Sequence, residues 1–394
     1  MTTNDLLADL HDIGRTPIGG YTRLAWDSST MVLREWFAGQ AAALGLDLVE
    51  DGNGNQVAWW GGGDDALLVG SHLDSVREGG PLDGPLGVAS ALAAVGELRA
   101  SGWTPSRPIG VVNFTDEEGG RFGVACLGSR LATGAIDPAV ALALRDDDGS
   151  TLADVLRARG RRPEAAGRAA WLASVSSYVE LHVEQGRWLA PADAAVGVAT
   201  AIMPHGRYRL DFCGQGNHAG TTAMPDRHDP MLAYAATVLA ARELAGAADA
   251  RATLGRVQIE PNSTNWIPSR VTAWLDARAS GVGELDALVA GIVARAESAA
   301  AADEVSLAVR TESVSGAVEF DHALRHRLAA LLDAPVLPTG AGHDAGILAA
   351  KLPTAMLFVR NPTGISHAPG EHAEPDDIEA GTAALTAVIQ DLAS

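Results

Sequence analysis

Short apolar runs that end in polar, glycine-rich turns recur along this chain. ALLVGS (66–71) leads directly into His72, and IGVVNFT (109–115) leads into Asp116-Glu117-Glu118. YVELHV (178–183) carries His182 within it, and TAMLFVR (354–360) precedes a turn that reaches His367. Between such runs lie Ala-rich stretches with apolar residues at helical spacing, such as GVASALAAVGELRAS. Apolar strands alternating with helices predict βαβ units and a mostly parallel sheet. Residues 1–50 read as helices, on the spacing in DLLADLHDIG and SSTMVLREWFAGQAAALGL.

The pattern changes near residue 206. RYRLDFC, ATLGRVQIE, RVTAWLDAR and EVSLAVRT alternate apolar and polar positions, as half-exposed strands do. Two helical stretches, MLAYAATVLAARELAG and LDALVAGIVARAESAA, lie among them, and the helix–strand style returns after about residue 320. The expected organisation is a catalytic domain built from 1–205 plus 319–394, with an inserted α+β domain of four strands and two helices at 206–318.

At 394 residues the chain suits two domains, and 47% hydrophobic with 20% charged residues supplies ample core. A net charge of −20 argues against nucleic acid or an anionic membrane as partner, since both attract basic surfaces. A small anionic substrate would need local positive charge from metals or arginine. The two cysteines, Cys126 and Cys213, are distant in sequence and read as reduced thiols. With no basic leader and no long apolar stretch at the start, a cytoplasmic protein is expected.

His72, Glu117, Glu118, His182 and His367 all follow strands or sit where strands end. In open α/β sheets ligands collect at the carboxyl ends of strands, so these distant segments should converge. Histidines and carboxylates without a nearby thiolate suit zinc, manganese or a similar divalent ion rather than a structural zinc. Each residue alone has an ordinary structural explanation: a hydrogen-bonded strand-end histidine, a solvated acidic turn, or an Asp83-Gly84 turn. The glycines of GGPLDGPLG match neither phosphate-loop nor dinucleotide spacing. Only the conjunction points to chemistry.

GSHLDSVREGGPLDGPLGV, FTDEEGGRFG, ELHVEQG, HAGTTAM, NSTNWIPSR with LDAR, GAGHDAG and GISHAPGEH occur in that order over about residues 70–372. As a set they resemble the hydantoinase/carbamoylase family of di-metal amidohydrolases, which includes N-carbamoyl-L-amino acid hydrolases, allantoate amidohydrolases and β-ureidopropionases. The resemblance implies an aminopeptidase-like α/β catalytic domain with an inserted lid and dimerisation domain. It implies two divalent ions per chain, zinc or manganese with cobalt or nickel as substitutes, bridged by Asp83. His72 and His182 would hold one ion, and Glu118 and His367 the other. Glu117 would be the general base, and Asp74 would orient His72. A cis peptide is expected after Asp83. By the same resemblance His218 stabilises the tetrahedral oxyanion, in its own or the partner subunit's site. Asn265 and Arg278 bind the substrate carboxylate, and Gln185 and His343 contribute polar groups to the pocket. Without the family, Arg278 would read as a surface strand residue. The implied activity is hydrolysis of the ureido C–N bond of a small carboxylic acid, allantoate or an N-carbamoyl-L-amino acid, by a homodimer. The alternatives are a peptidase or N-acyl amino acid deacylase, and a non-catalytic binding homologue.

Overall fold

The computed structural model describes residues 2–394 and has an α/β architecture with a separate antiparallel unit. Residue contacts divide the chain into one unit of 1–202 with 319–394 and a second of 203–318.

The larger unit is built on a nine-stranded sheet. In spatial order its strands are Asp47–Glu50, Gln56–Trp60, Ile109–Phe114, Ala66–His72, Val175–Val183, Thr354–Val359, Val196–Ile202 and Val318–Glu319, with Val336–Thr339 beside Val196–Ile202. The middle four strands are mutually parallel. Such strands are paired on both edges and covered on both faces, which is why ALLVGSH is buried at every residue and shows no alternation. The helix Pro85–Ala100 is likewise apolar around most of its circumference. It is buried from Pro85 to Val95 and packs against the sheet and the C-terminal helix Pro375–Ala393. Leu67, Val69, Leu86, Val95, Leu181 and Leu385 belong to this core.

The reading of residues 1–50 as helical holds for Thr3–Asp9 and Ser28–Ala43 but not for Asp47–Glu50, which is a strand. That segment pairs only with Gln56–Trp60, at the sheet's edge. Its side chains are mostly exposed, so no buried face leaves a mark in the sequence.

In the second unit four antiparallel strands run in the order Ser306–Ser315, His205–Cys213, Arg270–Arg278, Arg251–Glu260. The helices Pro230–Ala247 and Val282–Ala302 bury one face of that sheet, with Leu210, Phe212, Val271, Leu285 and Ile292 in the core. The other face is polar, with Arg256 lying 4.2 Å over the Trp274 ring. No helix among the described residues is long and apolar enough to cross a membrane.

Candidate metal centre

Because the four central strands are parallel, their carboxyl ends deliver their following residues to one edge. His72 ends Ala66–His72 in register with Phe114, and His182 lies near the end of Val175–Val183. Asp83 enters from the turn before the helix Pro85–Ala100. Gly84 makes that approach possible: its φ is +87°, and a Cβ there would fall 2.4 Å from the His72 ring. The peptide after Asp83 is trans, contrary to expectation, and the cis peptide among the described residues precedes Pro261. The chain turns into the helix through the positive φ of Gly84 instead.

Asp83 lies between two groups of side chains. Its Oδ1 is 3.2 Å from Nε2 of His182 and 3.6 Å from Nε2 of His72. Its Oδ2 is 3.3 Å from Nε2 of His367, which is itself 3.3 Å from Oε2 of Glu118. His72, Asp83 and His182 form one group with ligand atoms within 4.8 Å of each other, and Asp83, Glu118 and His367 form a second. Nδ1 of His72 donates to the Asp74 carbonyl at 3.1 Å, and Nδ1 of His182 donates to the Val183 carbonyl at 2.9 Å. Those bonds fix the tautomers and turn both Nε2 lone pairs toward Asp83. Both Nε2 atoms are fully buried and have no hydrogen-bond partner. Two buried imidazole lone pairs facing a carboxylate are poorly satisfied by protein alone, and a divalent cation fits them.

The paired glutamates point apart. Oε2 of Glu117 is 3.6 Å from Nε2 of His72, whereas Glu118 faces His367. Asp74 sets this turn in a way the sequence did not suggest. Its carboxylate oxygens accept the backbone N–H groups of Glu117 at 3.2 Å and Glu118 at 3.1 Å, and its main-chain carbonyl, rather than the carboxylate, orients His72. Gln185 donates to Oδ2 of Asp83 at 2.7 Å, so it touches the shared carboxylate directly. The His343 ring meets His182 edge to face at 4.5 Å. Burial and the neighbouring His182 hold His343 well below the usual imidazole range, so it stays neutral.

With only the protein's own charges acting, burial opposes the charge on His72, yet Glu117 and Asp83 raise it well above the ordinary value. A hydrogen bond donated to Asp83 raises His367 to about 9. Burial and then Asp83 raise Glu118 to about 7. Burial pushes Glu117 well above the usual carboxylate range, with Asp344 and Glu118 adding to it and His72 opposing.

Two supporting acids escaped the sequence reading. Oε1 of Glu371 accepts the backbone N–H groups of Leu82 at 2.8 Å and Asp83 at 2.9 Å. Glu180 accepts from Ser71 at 2.7 Å and from the backbone of Ala345 at 3.0 Å, tying the strand of His182 to the turn that carries His343. Glu371 stands in GISHAPGEH, four residues after His367, and Glu180 opens ELHVEQG, two residues before His182.

His218, Asn265 and Arg278 belong to the second unit. His218 lies opposite Trp266 in a short ladder, and the Ala219 N–H donates to the Asn265 carbonyl at 3.0 Å, which places His218 and Asn265 side by side. Nδ1 of His218 accepts from the Gly220 N–H at 3.0 Å, which leaves Nε2–H as an exposed donor. Arg278 ends the strand Arg270–Arg278 and grips Asp276.

A mostly parallel sheet that gathers histidines and acids around one carboxylate defines a metal-dependent hydrolase framework. The chain belongs to the peptidase family M20/M25/M40, whose profile matches residues 68–391, and within it to the hydantoinase/carbamoylase amidohydrolases. It is similar to the N-carbamoyl-L-amino acid amidohydrolase of Geobacillus stearothermophilus, 36% identical over 397 residues that span 98% of this chain and 97% of that protein. It is 31% identical over 408 residues to the allantoate amidohydrolase of Bacillus subtilis, covering 99% of this chain and 97% of that one. A hydantoinase/carbamoylase-family amidase from Burkholderia vietnamiensis has the same fold, with a TM-score of 0.87, 32% identity, and 99% and 96% of the two chains covered. The chain is thus a hydrolase of amide C–N bonds, in a family whose enzymes are metal-dependent.

Proposed function

We propose that this enzyme hydrolyses the ureido C–N bond of a small carboxylic acid, allantoate or an N-carbamoyl-L-amino acid, with two divalent ions per chain. The observation that carries the reading is the split engagement of Asp83, with Oδ1 toward His72 and His182 and Oδ2 toward His367 and Glu118. His72 and His182 would hold one ion, Glu118 and His367 the other, and Asp83 both. Two such cations, when bound, polarise a carbonyl and make water more acidic. Gln185 and Ser366, each donating to Oδ2 of Asp83, hold that carboxylate between the two groups of side chains.

Glu117 takes a proton from the attacking water and delivers it to the leaving nitrogen as the C–N bond breaks. A simple carbamoyl acid then yields its amine, carbon dioxide and ammonia. His218, through its exposed Nε2–H, stabilises the oxyanion, and His343 supplies a neutral polar group to the pocket. Asn265 and the Arg278 guanidinium bind the substrate carboxylate.

We further propose a cytoplasmic homodimer formed through the inserted unit, whose helix Pro230–Ala247 exposes Leu232 and Leu239. Light scattering on the purified protein tests the assembly. Ammonia release by the manganese-loaded protein from allantoate, N-carbamoyl-β-alanine and N-carbamoyl-L-amino acids, with release of free α-amine from dipeptides and N-acetyl amino acids for contrast, tests the activity. Turnover confined to the dipeptides or acetyl compounds would overturn the ureido reading, and no turnover of any would favour the non-catalytic homologue.

A further inference from the structure

We infer that Cys126 is a positioning residue for Glu117, its thiol holding one carboxylate oxygen so that the other faces His72; this rests on Glu117 being the base. The Cys126 thiol donates to Oε1 of Glu117 at 3.3 Å, while Oε2 is the oxygen 3.6 Å from Nε2 of His72. Among the described residues no other group donates a hydrogen bond to this carboxylate, which is 5% exposed. The backbone brings the pair together. The N–H groups of Cys126, Leu127 and Gly128 donate to the carbonyls of Glu117, Asp116 and Thr115, so the start of the helix Leu127–Thr133 is laced to the acidic turn.

Cys126 occupies the left-handed region, φ +56° and ψ +37°, where glycine sits without strain and a β-substituted residue does not. The strain is offset by what the side chain reaches. Burial, then Glu117 and Asp344, push the thiol well above its ordinary value, so it remains an S–H donor.

The test compares metal-loaded Cys126→Ala, Cys126→Gly and Cys126→Ser with wild type and Glu117→Gln on the best ureido acid. Loss of one hydrogen bond that orients the base should lower kcat about tenfold in the Ala and Gly variants, with KM and metal content unchanged. Serine keeps a donor and should stay within about threefold of wild type. The Gly variant keeps the comparison valid if Ala folds poorly, because glycine accepts the backbone conformation. The inference is overturned if the Ala or Gly variant keeps wild-type kcat while Glu117→Gln is inactive. It is equally overturned if the loss falls on KM or metal content, or if Ser falls as far as Ala. An active Glu117→Gln enzyme would instead remove the base assignment itself, and this inference with it.

Discussion

Arg278 and Asp276, two positions apart on one strand, join fork to fork: Nε donates to Oδ1 at 2.8 Å and Nη2 to Oδ2 at 3.4 Å. Burial works against the Asp276 charge, but Arg278 and Arg207 hold its pKa below the usual carboxylate range. The sign follows: the pair's stabilisation is present above the ordinary carboxylate value and is lost as pH falls through the lowered one. At neutral pH the guanidinium is therefore held in place by Asp276.

A substrate carboxylate that binds Arg278 must share the guanidinium with Asp276, which already takes its Nε–Nη2 edge. Arg278→Lys keeps the charge and loses the planar pair of donors. Removing one partner of such a pair typically costs on the order of 2–5 kcal/mol, so KM for the ureido acid should rise at least about tenfold. Metal content and kinetics on a neutral amide analogue should not change. Steady-state kinetics on the two compounds check this, and equal losses on both would return Arg278 to a structural role on its strand.

The opposed directions of Glu117 and Glu118 separate their variants. Glu117→Gln should keep its metals and lose kcat by about 10²–10⁴-fold, as for a positioned general base. Glu118→Gln should lose metal, because its neutral amide is a poorer ligand beside His367. Elemental analysis alongside kcat distinguishes the two, and equal metal loss in both variants would contradict the division of roles.

What the sequence made legible follows from distance along the chain. His72, Glu117, Glu118 and His182 each lie at or just past the end of a buried strand, so the apolar pattern itself flags them, and the motif set adds His367. Glu371 acts on Asp83 from 288 positions away through backbone N–H groups, and no periodicity encodes such a bond. The same holds for Glu180 and Ala345, 165 apart. The role of Asp74 was half legible. Its spacing from His72 is local, but whether carbonyl or carboxylate meets the ring depends on the path of the turn. Val196–Ile202 also escaped notice, because GVAT contains little that separates a strand from its Ala-rich surroundings.

Metal uptake should release protons. In the metal-free chain His367, raised to about 9, is protonated near neutral pH, and Glu118, raised to about 7, is partly so. Both must give up those protons to serve as ligands. Affinity should therefore increase with pH up to about 9, most steeply below about 7, where both groups must lose a proton. Calorimetric titration of the chelated protein in buffers of different ionisation enthalpy measures the protons released. An affinity flat across that range would mean that neither residue is a ligand.

Glu371 supplies a test of how far the centre depends on its surroundings. One of its oxygens accepts both the Leu82 and the Asp83 N–H groups, and its other oxygen is buried without a hydrogen-bond partner. Glu371→Ala would leave two buried donors unpaired, at about 1–3 kcal/mol each, and would free the backbone that aims Asp83. Glu371→Gln keeps a carbonyl oxygen in the same place and can still accept both bonds. The Ala variant should melt lower and lose its metals on dialysis, while the Gln variant keeps both properties near wild type. A lower melting temperature alone would assign Glu371 to folding. The pattern that marks it as the support of the shared carboxylate is weakened metal binding in Ala that is restored in Gln. That pattern is specific because the N–H of Asp83 belongs to the one residue that faces both ligand groups.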